Sequence, residues 1–176
     1  DGAVIRNQIQ VTLTEEGGET VLNGLYLNDG EGLVNNDLYI NHAAPRCSSR
    51  IGYKGVLAGK SRSVYTGMVY VAPESQQTDS MQLNNNLLLS EEARVDTKPQ
   101  LEIYADDVKC THGSTVGSPP DEVIFYFRSR GMDEKTAQGM LTYGFADELA
   151  ARIPVDIIRK RLDRMLSRRF RPQPCE

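Results

Sequence analysis

The sequence predicts a mainly β protein: a parallel β-helix, or solenoid, followed by a small C-terminal α-helical domain. Three observations predict it. Short apolar runs bounded by Gly, Asn and Asp fill the first two thirds of the chain, their centres recur at a near-constant spacing, and after Gly117 the apolar period becomes helical.

The chain opens at Asp1–Arg6 inside what reads as a strand, and six strand-sized runs follow: Leu25–Leu27, Leu38–Ile40, Gly55–Leu57, Met68–Val71, Leu87–Leu89 and Leu101–Tyr104. Runs of this length between turn residues are the signal of an all-β region. Taking Leu25, Leu38, Val56, Val69, Leu88 and Ile103 as centres, alternate members recur after 31, 31, 32 and 34 residues. A period in this range marks repeats that cannot cover their own apolar face and must stack on a neighbour. Two strands per repeat joined by turns make a parallel β-helix. A sandwich would instead show tight hairpin links; the one Asn-Gly pair, Asn23-Gly24, precedes a strand rather than joining two. An irregular sandwich remains the alternative on pattern alone. Asn84–Asn86, before the leucine run, reads as a stacked turn, since Asn tolerates the left-handed conformation. Farther on, alternation places Val108, Cys110 and His112 on one strand face.

Beyond Gly117, Ser118-Pro119-Pro120-Asp121 supplies a capping Ser and a Pro for a first helix carrying Val123, Ile124 and Phe127 and ending at Gly131. Asp133 caps a second, with Ala137, Leu141, Phe145 and Leu149 on one stripe. Pro154 opens a third, with Val155, Ile158, Leu162 and Met165 at 3-4-3 spacing, and the coda Arg171–Pro174 reads as disordered. The expected division is a β-helix core at 1–117, truncated at its N-terminus, a helical domain at 118–170, and a disordered tail at 171–176.

Composition narrows the function classes. No apolar run approaches the ~18–20 residues of a membrane span. Cys47, Cys110 and Cys175 fit neither a disulfide framework nor a zinc site, so a reducing, intracellular setting is expected. With only His42 and His112, a self-sufficient transition-metal site is not expected. The net charge is −4, yet residues 155–176 hold seven basic residues against Asp156, Asp163 and Glu176. This basic helix could bind nucleic acid or an anionic membrane, but its apolar stripe argues for packing on protein. Leu57–Ser61 has the Gly-Lys-Ser end of a phosphate loop, but Lys54 stands where its first glycine belongs; it reads as a turn between rungs. Asp96, Glu102, Asp106 and Asp107 invite a paired-carboxylate reading, as in β-helical polysaccharide-cleaving enzymes, though scattered acids are usually solvated edges.

Recognition rests on a longer pattern: Tyr53–Leu57, Gln77–Asp79, Asn86–Ser90, Val95–Cys110, His112-Gly113 and Phe125–Gly131. Together these resemble the shared core of the SufB/SufD iron–sulfur cluster assembly family, and within it the D-type branch. The resemblance implies a right-handed parallel β-helix with a C-terminal helical domain and a non-catalytic scaffold. It also implies pairing with a SufB-type subunit through the solenoid cores, and docking of the SufC ATPase on the helices. B-type members place a cysteine just before the leucine run and Glu-His-Glu near the end of the solenoid; here those places read Asn84 and Thr111-His112-Gly113, which favours D-type.

On that footing His112 is the expected ligand of a transient iron–sulfur cluster held at the interface with the B-type partner and not by this chain alone. Cys110 is either a second ligand or a small core residue. Ile124, Phe127, Val155, Ile158, Leu162 and Met165 are the expected ATPase-docking side chains. Cys47 and Cys175 read as incidental, and His42 as a turn or surface residue. The setting implied is cytoplasmic, or plastid stroma in a plant or alga; self-association in isolation stays open. The rival from another class is a stand-alone β-helical carbohydrate-active enzyme or binding module.

Overall fold

The computed structural model describes residues 3–171. Eight strands come first: β1 (Val4–Leu13), β2 (Glu19–Asn28), β3 (Leu33–His42), β4 (Ser48–Leu57), β5 (Arg62–Val71), β6 (Thr78–Leu88), β7 (Arg94–Ile103) and β8 (Val108–Gly117). They form two parallel four-stranded sheets in the orders β1-β3-β5-β7 and β2-β4-β6-β8. The chain therefore alternates between sheets and advances one rung every second strand, as a solenoid must.

Val4 lies beside Leu33 and Leu33 beside Arg62, a 29-residue turn, while Arg62 lies beside Arg94, 32 on. The slightly longer spacing read from apolar centres has a simple origin. Leu25 and Leu38 lie two residues before Leu27 and Ile40, the register partners of Val56 and Val69, while Leu88 and Ile103 lie one and two residues past Leu87 and Leu101.

Strict alternation builds the interior. In β5, Ser63, Tyr65, Gly67, Val69 and Val71 are buried while the residues between them are less so. One core joins both sheets through Val34, Ile40, Ile51, Leu57, Val69 and Val71. Tyr53 and Tyr65 meet across the lumen with ring centroids 5.3 Å apart. The corners stack too. Gly17, Arg46 and Gln77 all take positive φ at equivalent places, and each backbone N–H donates to a carbonyl of the next rung. At the opposite corner Gly30 and Gly59 repeat the left-handed turn, and Lys60 N–H donates to Gly30 O at 2.7 Å.

Two local readings need correction. Asn84–Asn86 is not a turn: it lies inside β6, with Asn84 and Asn86 buried and facing the lumen. The stacked turns place Gly17, Arg46 and Gln77 at one corner and Gly30 and Gly59 at the other. Ser118 does not cap the first helix, whose N-cap is Pro120 with no side-chain hydrogen bond.

Helices α1 (Asp121–Ser129), α2 (Glu134–Ala150) and α3 (Asp156–Phe170) follow. Gly131 terminates α1 at φ +86°, and Asp133 Oδ1 accepts from Thr136 N–H at 2.9 Å to start α2. Ala146, Ala150 and Leu166 form a second core, with Leu25 and Leu27 of β2, and with Leu162 and Phe170, packed against it. The helices thus sit on the outer face of the β2-β4-β6-β8 sheet. Residues 172–176 of the expected disordered tail lie outside the described residues, as does Cys175.

Candidate functional site

β7 and β8 terminate their sheets, so each carries one edge with no neighbouring strand among the described residues. On β8 the inward column is Val108, Cys110 and His112, in register with Thr78, Ser80 and Gln82 of β6. Those three β6 side chains are sealed inside. One rung on, cover thins: Cys110 is half-buried against the core and His112 is exposed. The last rung therefore presents an imidazole and a thiol from the same strand face, two residues apart, at the open end of the solenoid.

The two groups are chemically unequal. Burial pushes the Cys110 thiol up; the Ser80 backbone opposes this by hydrogen bonding, and the Asp79 charge adds to it. The thiol is thus protonated at neutral pH and must lose that proton before ligating a metal. An imidazole nitrogen ligates as a neutral donor. Among the described residues no three His, Cys, Asp or Glu side chains cluster to hold an ion.

Asn84, where the resemblance places the B-type thiol, faces the lumen beside Tyr53 and Ser114 and is fully buried. Asn86 Nδ2 donates to its Oδ1 at 2.7 Å. An amide occupies this slot, so no sulfur nucleophile is present there.

His42 corrects the sequence reading. It is fully buried at the end of β3, its Nε2 is 3.0 Å from Ser49 Oγ, and burial lowers its pKa. Ser49 Oγ lies 2.7 Å from Ser80 Oγ, continuing a polar file through the lumen. The missed signal is parity: His42 follows Leu38 and Ile40 at every second position. Cys47 is also sealed, its thiol donating to Glu15 O at 3.3 Å.

Ser61 of the Gly-Lys-Ser turn is buried and donates to Asn28 O, so its hydroxyl serves the corner between β4 and β5. Asp96 and Glu102 share the outward face of β7 with the partners Val64 and Tyr70 of β5, while Asp106 and Asp107 lie in the turn after β7; all four are exposed. This arrangement offers no opposed acid and base.

The docking candidates divide. Val155, Ile158 and Met165 are exposed, Ile124 and Phe127 half-buried, and Leu162 packs into the helical core. Sequence reasoning missed Phe125, Tyr126 and Ile157, which are more than half exposed. A groove of about 390 Å³ is bounded by Leu25, Leu27, Leu149, Ala150, Leu162 and Met165. On α3, Arg159 pairs with Asp156 and Arg169 with Asp29 of the solenoid corner. No described helix is long and apolar enough to cross a membrane.

Comparison with known proteins agrees with this geometry. Residues 1–145 match the family described as the SUF system FeS cluster assembly, SufBD core domain. The iron-sulfur cluster assembly protein SufD of Escherichia coli is 44% identical over 148 residues, which are 84% of this chain and 35% of that protein. A SufBD family protein of Mycobacterium leprae is 37% identical over 169 residues, 92% of this chain and 43% of the relative. A chloroplastic protein of Arabidopsis thaliana is 40% identical over 111 residues, covering 62% and 23%. The chain thus spans less than half the length of the curated relatives it matches.

Proposed function

The chain belongs to the SufBD core domain family of iron–sulfur cluster assembly proteins, and from that premise we propose that it is the D-type scaffold subunit of a Suf complex. In this reading it pairs with a SufB-type subunit through the open edges of β7 and β8. Its helices dock the SufC ATPase, and it performs no bond chemistry of its own. The observation that carries the proposal is His112: an exposed imidazole on the inward column of the last rung, where a second solenoid would abut.

The nascent cluster is cargo here. His112 supplies one neutral nitrogen donor, and the partner supplies the thiolate that Asn84 replaces in this chain. Histidine in place of thiolate raises a cluster's potential, which makes the assembled cluster easier to reduce. Cys110 joins only where iron displaces its proton. The ATPase would grip the exposed apolar surface of Val155, Ile158 and Met165, with the basic face of α3 meeting acidic surface. Because α2 is fastened to β2 and β4, motion of the helices reaches the solenoid.

The test is anaerobic co-expression with a B-type subunit and SufC, followed by absorption and Mössbauer spectroscopy. The wild-type complex should carry a cluster, and the His112→Ala complex should assemble without one. Cluster formation by that variant at the wild-type level would remove His112 from the account. Absence of co-purification would remove the scaffold role.

A further inference from the structure

We propose that Gln82 is a positioning residue for His112: its buried carboxamide oxygen, unpartnered in this conformation, is the acceptor for the imidazole N–H when the ring turns onto the inward column, and it thereby fixes which ring nitrogen is left for a metal. The proposal rests on the reading that His112 meets the cluster, and adds the residue that orients it.

Gln82 is fully buried in the middle of β6. Its amide crosses the lumen, and Nε2 donates to Gly67 O of the opposite sheet at 3.1 Å. Gly67 makes room for this; a Cβ there would lie 2.6 Å from Nε2 and 2.9 Å from Oε1. The carbonyl of Gly67 can only accept, so the amide's orientation is settled and Oε1 points elsewhere. That oxygen has no hydrogen-bond partner among the described residues. A buried acceptor left unmatched is costly, and native interiors seldom tolerate one.

The strand register supplies the match. Gln82 stands between Ile51 of β4 and His112 of β8 in one inward column. Adjacent strands lie ~4.8 Å apart, within reach of an imidazole one rung above. Ile51 has nothing to donate; His112 does. Histidines that ligate metals commonly give their second N–H to a carbonyl or carboxylate, which selects the tautomer and holds the ring. A glutamine amide that is itself anchored to the backbone provides such an acceptor without adding charge. The competing donors are the Tyr65 hydroxyl and the Asn84 amide, both buried and likewise unpaired among the described residues.

The experiment reads the ring rather than the cluster. The protein, alone and in its complex, is labelled with ¹⁵N-histidine, and two-bond ¹H–¹⁵N spectra are recorded above the histidine titration range. Two histidines make assignment direct, with His112→Asn removing one set of signals. The wild-type His112 should show one tautomer in large excess. Gln82→Leu should collapse this to the mixture of a free imidazole. Gly67→Ala, which displaces the amide, should lose the bias. Tyr65→Phe should leave it unchanged.

An unbiased His112 in the wild type overturns the proposal, even if Gln82→Leu does not fold. So does a bias that survives Gln82→Leu or disappears with Tyr65→Phe. No iron, sulfur or nucleotide is needed, so a negative result leaves the cluster role of His112 to its own test.

Discussion

Lys54 and Glu148 are joined across the boundary between solenoid and helices: Nζ of Lys54, on β4, lies 2.6 Å from Oε2 of Glu148, on α2. The lysine side chain is only 6% exposed while the glutamate is 61% exposed. The same ammonium donates to Phe145 O at 2.9 Å and sits 4.4 Å from the Phe145 ring centroid. A buried charge is tolerated only when paired, and here every partner belongs to one turn of α2. The contact is a fastener between the two parts of the molecule.

Removing one half should therefore hurt asymmetrically. Glu148→Ala leaves a buried ammonium with one carbonyl and one ring, and should cost about 1–3 kcal/mol in chemical denaturation. Lys54→Met keeps the apolar stem, leaves only an exposed carboxylate behind, and should cost less. Equal losses would mean that the pair acts as an ordinary surface bridge.

The same pair predicts a pH dependence. Hydrogen bonding to Lys54 holds the Glu148 carboxyl below its usual 4.5. A depressed folded-state pKa gives stability that is present above the unfolded value and lost as pH falls through the folded one. Acidification from about pH 5 should thus loosen the helices, by the 0.2–1 kcal/mol typical of roughly solvent-screened pairs. Glu148→Gln should flatten that part of the stability–pH curve.

His112→Ala should be silent for folding and decisive for cargo. The side chain is exposed on the terminal rung, where substitutions usually stay within about 0.5 kcal/mol, and its removal opens Gln82 Oε1 to water in place of the imidazole. An unchanged melting curve together with loss of the cluster chromophore is the expected pairing. A large stability loss would reveal a structural histidine instead.

Gly59→Ala should strike a corner. Gly59 has φ +64°, and a Cβ would come within 2.9 Å of the backbone of Gly30 in the adjoining turn. Backbone cannot swing aside as a side chain can, so strain and clash add to about 1–3 kcal/mol. Calorimetry on this variant and on Gly117→Ala, whose Cβ meets nothing within 4 Å, separates the corner from mere loss of a glycine.

Architecture was legible because repetition is redundant. Each rung states the period again, so misjudging the strand centres shifted it by only one or two residues. Parity sufficed to put Cys110 and His112 on one face of β8. Reasoning failed where residue type argued against position. Asn84 and Asn86 are turn formers by composition, yet the solenoid lumen accepts amides that hydrogen-bond one another. His42 looked like a surface residue because imidazoles are polar, although its place two after Ile40 put it inside. The role of Gln82 was not legible at all: it depends on Gly67, fifteen residues away in the other sheet, and only the coil brings them together.

α3 offers the sharpest separation of fold from partnership. Its inner face is Leu166, fully buried against Ala146 and Ala150; its outer surface holds Ile158 and Met165, each more than half exposed. Leu166→Ala should cost about 2–5 kcal/mol, the range for emptying a core leucine site. Ile158→Asp and Met165→Asp should leave the melting curve within about 0.5 kcal/mol of wild type, since neither charge is buried. In a pull-down by immobilised SufC the order should invert. The two aspartate variants should lose capture by tenfold or more, through a charge set in an apolar contact. Leu166→Ala should still bind at temperatures where it remains folded. Retained capture by both aspartate variants would place the ATPase elsewhere, with Phe125 and Tyr126 of α1 as the next apolar surface to alter.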